Sequence, residues 1–396
     1  MPLKLSTLGL ILTLSGCCLE VAGSTSGTST SSVAGTTGSS SGGTFDAGPF
    51  VTTLAGNGTQ GFLDGTGGPN GSAEFAQPNY TAIDNAGNLY VTDQSRLRRV
   101  DPSGNVTTVA GGEMFGYADG TAGPNGTALF DGFCGVAVAA DGTVYVSSGN
   151  RIRKLDPRGN VTTLAGNGTQ GDADGTGGPN GGAEFNDPCG IALDATGNVY
   201  VADFGNERIR KVDPSGNVTT LAGNGMQGYA DGTGGPNGAA QFYNPVSVAV
   251  DGNGNVYVAD VFNFRVRRID QSGNVTTFAG NGSPASVDGT GGPNGTAAFD
   301  FPSGVAVDGA GNVYVSEESN GPAPGGPGEE GNRIRRVDPS GNVTTLAGNG
   351  AQGYADGPGG RTGAAEFNAP AVVSVDSSGN VYVADSLSFR IRVVHP

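Results

Sequence analysis

Short runs of alternating apolar and polar residues recur along most of this chain. The string Val-Thr-Thr, an apolar residue, Ala and Gly starts at Val51, Val106, Val161, Val218, Val275 and Val343, spaced 55, 55, 57, 57 and 68 residues apart. Between two such starts the same order of segments returns. After Val161 come a long glycine-rich loop, then Ile191 to Asp194, Asn198 to Asp203 and Arg208 to Asp213. Each run is β-branched or aromatic with a period of two, and Asp, Asn, Gly and Pro stand at its ends, which predicts four antiparallel strands per unit. A fixed period above 50 built from short strands predicts a propeller or a related array.

Phase fixes how the array closes. The pattern enters on Phe50 to Ala55 and stops on Arg390 to Val394, the segment that precedes a Val-Thr-Thr strand in every other unit. The sixth unit lacks its fourth strand, and residues 50–55 supply it. Such closure leaves no open sheet edge. The expected fold is therefore all-β, a six-bladed β-propeller of four-stranded antiparallel blades over residues 50–396, closed by its N-terminal strand.

The units resemble NHL repeats. Pro188-Cys-Gly-Ile-Ala-Leu-Asp194, Gly197-Asn-Val-Tyr-Val-Ala-Asp203 and Asn206-Glu-Arg-Ile-Arg-Lys211 carry the resemblance, and it recurs six times. The departures are Ala139 and Ser148 in the second unit and Glu317 in the fifth, where the other units have Asp. Propellers of this kind include lactonases and lyases, which gather acidic, Asn or His ligands on their innermost strands. Here those strands contribute a ring of Asn79, Cys134, Cys189, Val246, Ser303 and Ala371, and a second ring of Tyr80, Gly135, Gly190, Ser247, Gly304 and Val372. A divalent cation needs several converging oxygens or imidazoles. The rings supply few, so no metal, no cofactor and no catalytic residue is expected, although Asn79 and Tyr80 remain candidate binding residues. The alternative is a metal-dependent hydrolase or lyase on the same fold.

Cys134 and Cys189 are equivalent positions in adjacent units. An oxidising compartment would allow a disulfide between them. Equivalent Cα atoms on neighbouring inner strands are expected to lie beyond the ~7 Å that a disulfide tolerates, so two buried free thiols are the expectation.

Residues before the repeats read differently. Leu5 to Leu14 is an apolar stretch too short for a permanent span, and with Lys4 before it and small residues after it reads as an export signal over residues 1–16. Leu14-Ser15-Gly16-Cys17 resembles a bacterial lipobox, which implies cleavage before Cys17 and its acylation. Several acyl chains anchor stably where one is marginal. Cys18 rather than Asp follows, and by resemblance to proteobacterial sorting rules this implies the outer membrane. Residues 17–49 are then the lipidated cysteine and a Ser/Thr/Gly tether, with a reach of roughly 30 Å.

Composition narrows the partners. With 74 Gly and 22 Pro among 396 residues, the chain is near the level of disorder, and the periodicity assigns the glycine to turns instead. The formal charge of −16 opposes nucleic acid and anionic headgroups, so the lipid anchor is the expected membrane contact and RNA is not an expected ligand. The single histidine, His395, is second from the end, which removes most histidine-based catalysis. Seventeen of the 20 basic residues fall in the Arg-x-Arg strands. Neutralisation by Asp93, Asp203, Asp260 and Asp385 is expected to make them part of blade construction.

The long loops repeat Asp-Gly at Asp64, Asp119, Asp174, Asp231, Asp288 and Asp356, expected as turns. Phe62, Tyr117, Tyr229 and Tyr354 stand two residues earlier, at positions held by Asp172 and Ser286 in the third and fifth units. These aromatics are candidate contacts for a sugar or a protein, with packing against the neighbouring loop as the competing reading. Phe75, Phe130, Phe185, Phe242, Phe299 and Phe367 occur in every unit and are expected in the core. Asn-Val-Thr at Asn105, Asn160, Asn217, Asn274 and Asn342 is turn plus strand. The fifth unit carries an 11-residue excess within Glu318 to Gly331, a solvent loop and a candidate partner contact. The sum is an envelope-anchored monomer that binds an unidentified protein or glycan without catalysis.

Overall fold

A computed structural model describes residues 48–123, 125–318 and 331–396. The signal, Cys17 and the tether up to residue 47 lie outside the described residues, as does all of the fifth-unit loop except its ends. Six antiparallel sheets follow one another along the chain, and the innermost strand of each touches the innermost strands of both neighbours, so the ring closes. Blade 3 shows the plan, running from centre to rim as Pro188–Leu193, Val199–Asp203, Arg208–Val212 and Val218–Ala222.

Closure follows the predicted phase. Phe50–Ala55 pairs with Arg390–His395 as the rim strand of blade 6, in the register Val51↔Val394 and Thr53↔Arg392, with an irregularity before Ala55↔Ile391. Blade 3 has the same register, Arg210↔Thr220 and then Ile209↔Ala222. The terminal strand therefore repeats an interior one, bulge included.

Every rim strand would still present a free edge. The Asp-Gly turn of the preceding long loop covers it, because Gly65, Gly120, Gly175, Gly232, Gly289 and Gly357 each bridge antiparallel to the first valine of a rim strand. The core lies between blades rather than within one. Phe75, Phe185, Phe242, Phe299 and Phe367 are fully buried and Phe130 nearly so. Each is worth roughly 1.5–3 kcal/mol of burial.

Candidate functional site

The second arginine of each Arg-x-Arg strand is a buried node. Arg210 has no exposed surface, and it donates to Asp203 at 2.6 Å, to Asp174 at 2.7 Å and to the carbonyls of Glu184 and Ala173. Arg98, Arg267, Arg335 and Arg392 repeat this with Asp93/Asp64, Asp260/Asp231, Glu317/Asp288 and Asp385/Asp356. The inner carboxylate also accepts loop N–H groups, those of Ala76 and Gln77 at Asp93 and that of Asn186 at Asp203. One guanidinium faces two carboxylates, and the fully buried one is easier to protonate. Burial pushes Asp93, Asp203 and Asp385 up to about 6, against the pull of the arginine and the N–H donors. In blade 2 Ser148 replaces the inner acid, and Arg153 keeps Asp119 alone among the ion pairs of the described residues. These arginines belong to blade construction, as the sequence reading expected, and they also hold the long loop onto the blade.

The loop aspartates do more than turn. Asp64 accepts from Arg98, from the Thr108 N–H and from the Thr108 hydroxyl at 2.8–2.9 Å. Burial alone would raise its pKa, but these hydrogen bonds hold it low. Sequence reasoning missed this clasp because its partners stand 34 and 44 residues away.

The first arginine of each motif accounts for the loop aromatics. Arg96 lies over Phe62 at 4.3 Å, Arg151 over Tyr117 at 3.7 Å, Arg265 over Tyr229 at 3.8 Å and Arg390 over Tyr354 at 4.3 Å. Where the third unit has Asp172 instead, Arg208 pairs with that carboxylate. The Tyr117 and Tyr229 hydroxyls are each 3.0 Å from a rim-strand threonine hydroxyl. One ring face is thus covered by a strand arginine, while Tyr354 stays 61% exposed.

At the centre, Tyr80 crosses the ring. It starts in blade 1, and its hydroxyl donates to the Val246 carbonyl of blade 4 at 2.8 Å and lies 3.1 Å from Cys189 Sγ of blade 3. Tyr80 is buried and Asn79 is half-buried beside it. Cys134 and Cys189 form a disulfide with a Cα–Cα distance of 5.1 Å, so the expectation of two free thiols is corrected. The physical reason is the glycine ring. A Cβ on Gly135 would collide with the Cys189 carbonyl, and one on Gly190 would stand 2.6 Å from the Val246 carbonyl. Glycine there lets neighbouring inner strands approach more closely than side chains would permit. Hydroxyls tighten the ring further, with Thr92, Ser147 and Ser316 donating to inner-strand carbonyls of the next blade at 2.6–2.8 Å. The tyrosine, the disulfide and these short bonds tie the innermost strands together across and around the centre. No group of three or more His, Cys, Asp or Glu residues suited to a metal occurs among the described residues.

Two features break the symmetry on the face around this centre. Glu318 follows the second strand of blade 5; burial pushes its carboxyl up to about 7, against a hydrogen bond from Ser303 on the innermost strand. At the junction of blades 4 and 5, Tyr243, Phe262, Phe264 and Phe301 form a continuous aromatic cluster, with ring centroids 5.1–5.9 Å apart. The sequence reading did not single them out. The signal was there, since other units carry Ala76, Asp131, Asn186, Asp300 and Asn368 at the position of Tyr243.

Comparison with known proteins agrees with the architecture. The NHL repeat matches residues 185–212 and 242–269, the end of the long loop and the first three strands of blades 3 and 4. Mouse teneurin-3 is 28% identical over 390 residues, covering 87% of this chain but 13% of the teneurin, so the chain spans a small part of that relative's length. Two solved Bacteroides thetaiotaomicron proteins share the fold. One, of unknown function, has a TM-score of 0.61 at 20% identity, with 87% of this chain and 75% of the other covered. The second, an auxiliary nutrient binding protein, has a TM-score of 0.60 at 18% identity, with coverage of 88% and 76%.

Proposed function

We propose that this six-bladed propeller of NHL repeats is an envelope-anchored lipoprotein that acts as a binding scaffold for a protein or a glycan, without catalysis of its own. The observation that carries the reading is the bonding across the centre. Tyr80 spans blades 1 to 4 at 2.8 Å, and the Cys134–Cys189 bridge lies beside it. A centre crossed by these bonds directs attention to the faces and loops as the places where a partner is met. The fold shared with a nutrient binding protein of Bacteroides supports binding as the role. The lipobox-like Leu14-Ser15-Gly16-Cys17 and the Ser/Thr/Gly stretch to residue 49 support a position near a membrane, on the outer membrane by the residue that follows Cys17. A disulfide-containing domain suits an exported chain.

The experiment is fractionation combined with capture. The chain should sediment with membranes, and Cys17→Ser should release it to the soluble fraction with its propeller still folded. Membrane extracts passed over the immobilised propeller should then yield a retained protein or polysaccharide. A Cys17→Ser chain that still partitions with membranes contradicts the anchor, and an extract that yields nothing contradicts the scaffold.

A further inference from the structure

The aromatic cluster between blades 4 and 5 is not a requirement of the repeat. Phe262 stands where blade 3 has Gly205 and blade 6 has Leu387, and Phe301 stands where the other units have Gln77, Gly132, Asp187, Asn244 and Ala369. The other blades form the same strands with those residues. Phe264 and Phe301 both hold left-handed backbone, with φ of 52° and 43°. That region is costly for a bulky side chain and suits Asn or Gly better. Phe264 has a left-handed counterpart in Phe389 of blade 6, but Tyr243, Phe262 and Phe301 have no aromatic counterpart in another unit, and Tyr243 is 36% exposed.

Their surroundings select the ligand. Arg265, next to Phe264 in sequence, is turned away: it donates to the Asn263 and Asn281 carbonyls and lies over Tyr229. With that cation engaged and a chain charge of −16, an anionic ligand is disfavoured. An added peptide strand would need an open sheet edge, and the Asp-Gly turns cover the edges. A methylammonium cage needs rings that converge around a gap. Here Tyr243 meets Phe262 at 38°, and Phe301 meets Phe262 and Phe264 edge-on at 88° and 77°, so the rings fill one another's space. A packed apolar platform whose ring faces carry negative charge density fits the C–H face of a sugar ring. Glu318, whose N–H donates to the Phe301 carbonyl at 3.2 Å, ties the end of the second strand of blade 5 to the platform.

We propose that the Tyr243–Phe262–Phe301–Phe264 platform binds a neutral glycan, one sugar ring stacking on Tyr243. This rests on the binding-scaffold reading and narrows it to one ligand class and one junction.

The test is affinity electrophoresis of the purified full chain through native gels containing soluble starch, hydroxyethylcellulose, xylan or galactomannan. At least one of them should retard the chain. The double variant Tyr243→Asn/Phe301→Asn carries residues found at equivalent positions, so it should melt where the parent does while its affinity falls about tenfold or more. Should the double variant melt lower, Tyr243→Asn alone carries the comparison, with the same expected loss. Retardation by none of the four polysaccharides, or equal retardation of parent and folded variant, overturns the proposal. Capture of an envelope protein with no glycan retarding the chain also overturns it, yet leaves the scaffold reading standing. If neither glycan nor protein is bound, both readings fall.

Discussion

At Arg210, two carboxylates and two carbonyls surround a guanidinium that water does not reach. Removing the cation strands a buried acid, which typically costs about 3–5 kcal/mol. Arg210→Met should lose stability on that scale in urea unfolding. Arg208→Met, which gives up a pair with the largely exposed Asp172, should lose roughly 1 kcal/mol or less. Equal losses would mean that the node is not what holds the loop. The same node gives stability a pH dependence. Asp93, Asp203 and Asp385 sit at about 6 in the folded chain, above the ordinary carboxylate value of about 3.8. The folded state therefore binds more protons than the unfolded one between those limits. The stability this contributes is complete below about pH 4 and is lost as pH rises through 6. Thermal melting followed by circular dichroism should show a higher Tm at pH 5 than at pH 7.5, and Asp→Asn at these three positions should flatten the difference. A Tm that falls from pH 7.5 to 5 would reverse the assigned sign.

Elements were legible where a strand's own residues decide its fate. The alternation at Val199 to Asp203 predicts a strand, and the phase of Phe50 to Ala55 predicts the closure seen in its pairing with Arg390–His395. Deleting residues 50–56 removes a rim strand and exposes the edge of blade 6, so Tm should drop sharply. An unchanged Tm would contradict closure. What stayed hidden depends on distances between elements. Nothing in the residues flanking Cys134 and Cys189 states that the glycines after them let inner strands close to 5.1 Å. Nor does the environment of Tyr80 in sequence state that the ring is narrow enough for one side chain to reach from blade 1 to blade 4. Thiol titration of the denatured, unreduced propeller should find Cys134 and Cys189 unreactive, and two free thiols there would undo the bridge.

For the whole molecule, repetition explains most of the chemistry that looked like a site. The rows of arginines and the ring of aspartates recur blade by blade, the loop aromatics recur in four of the six blades, and each is engaged within the fold. Function is then sought outside the repeat, at the proposed anchor on Cys17, and where the repeat is broken, at the Tyr243 to Phe301 junction. The rival account is a metal-dependent hydrolase or lyase working in the channel, and it needs a divalent ion held among the innermost strands, where Tyr80 now bonds to the Val246 carbonyl. Elemental analysis of the purified chain separates the two most directly. The scaffold account predicts well below one equivalent of any divalent metal, with binding unchanged by a chelator. One tightly held equivalent per chain would contradict it.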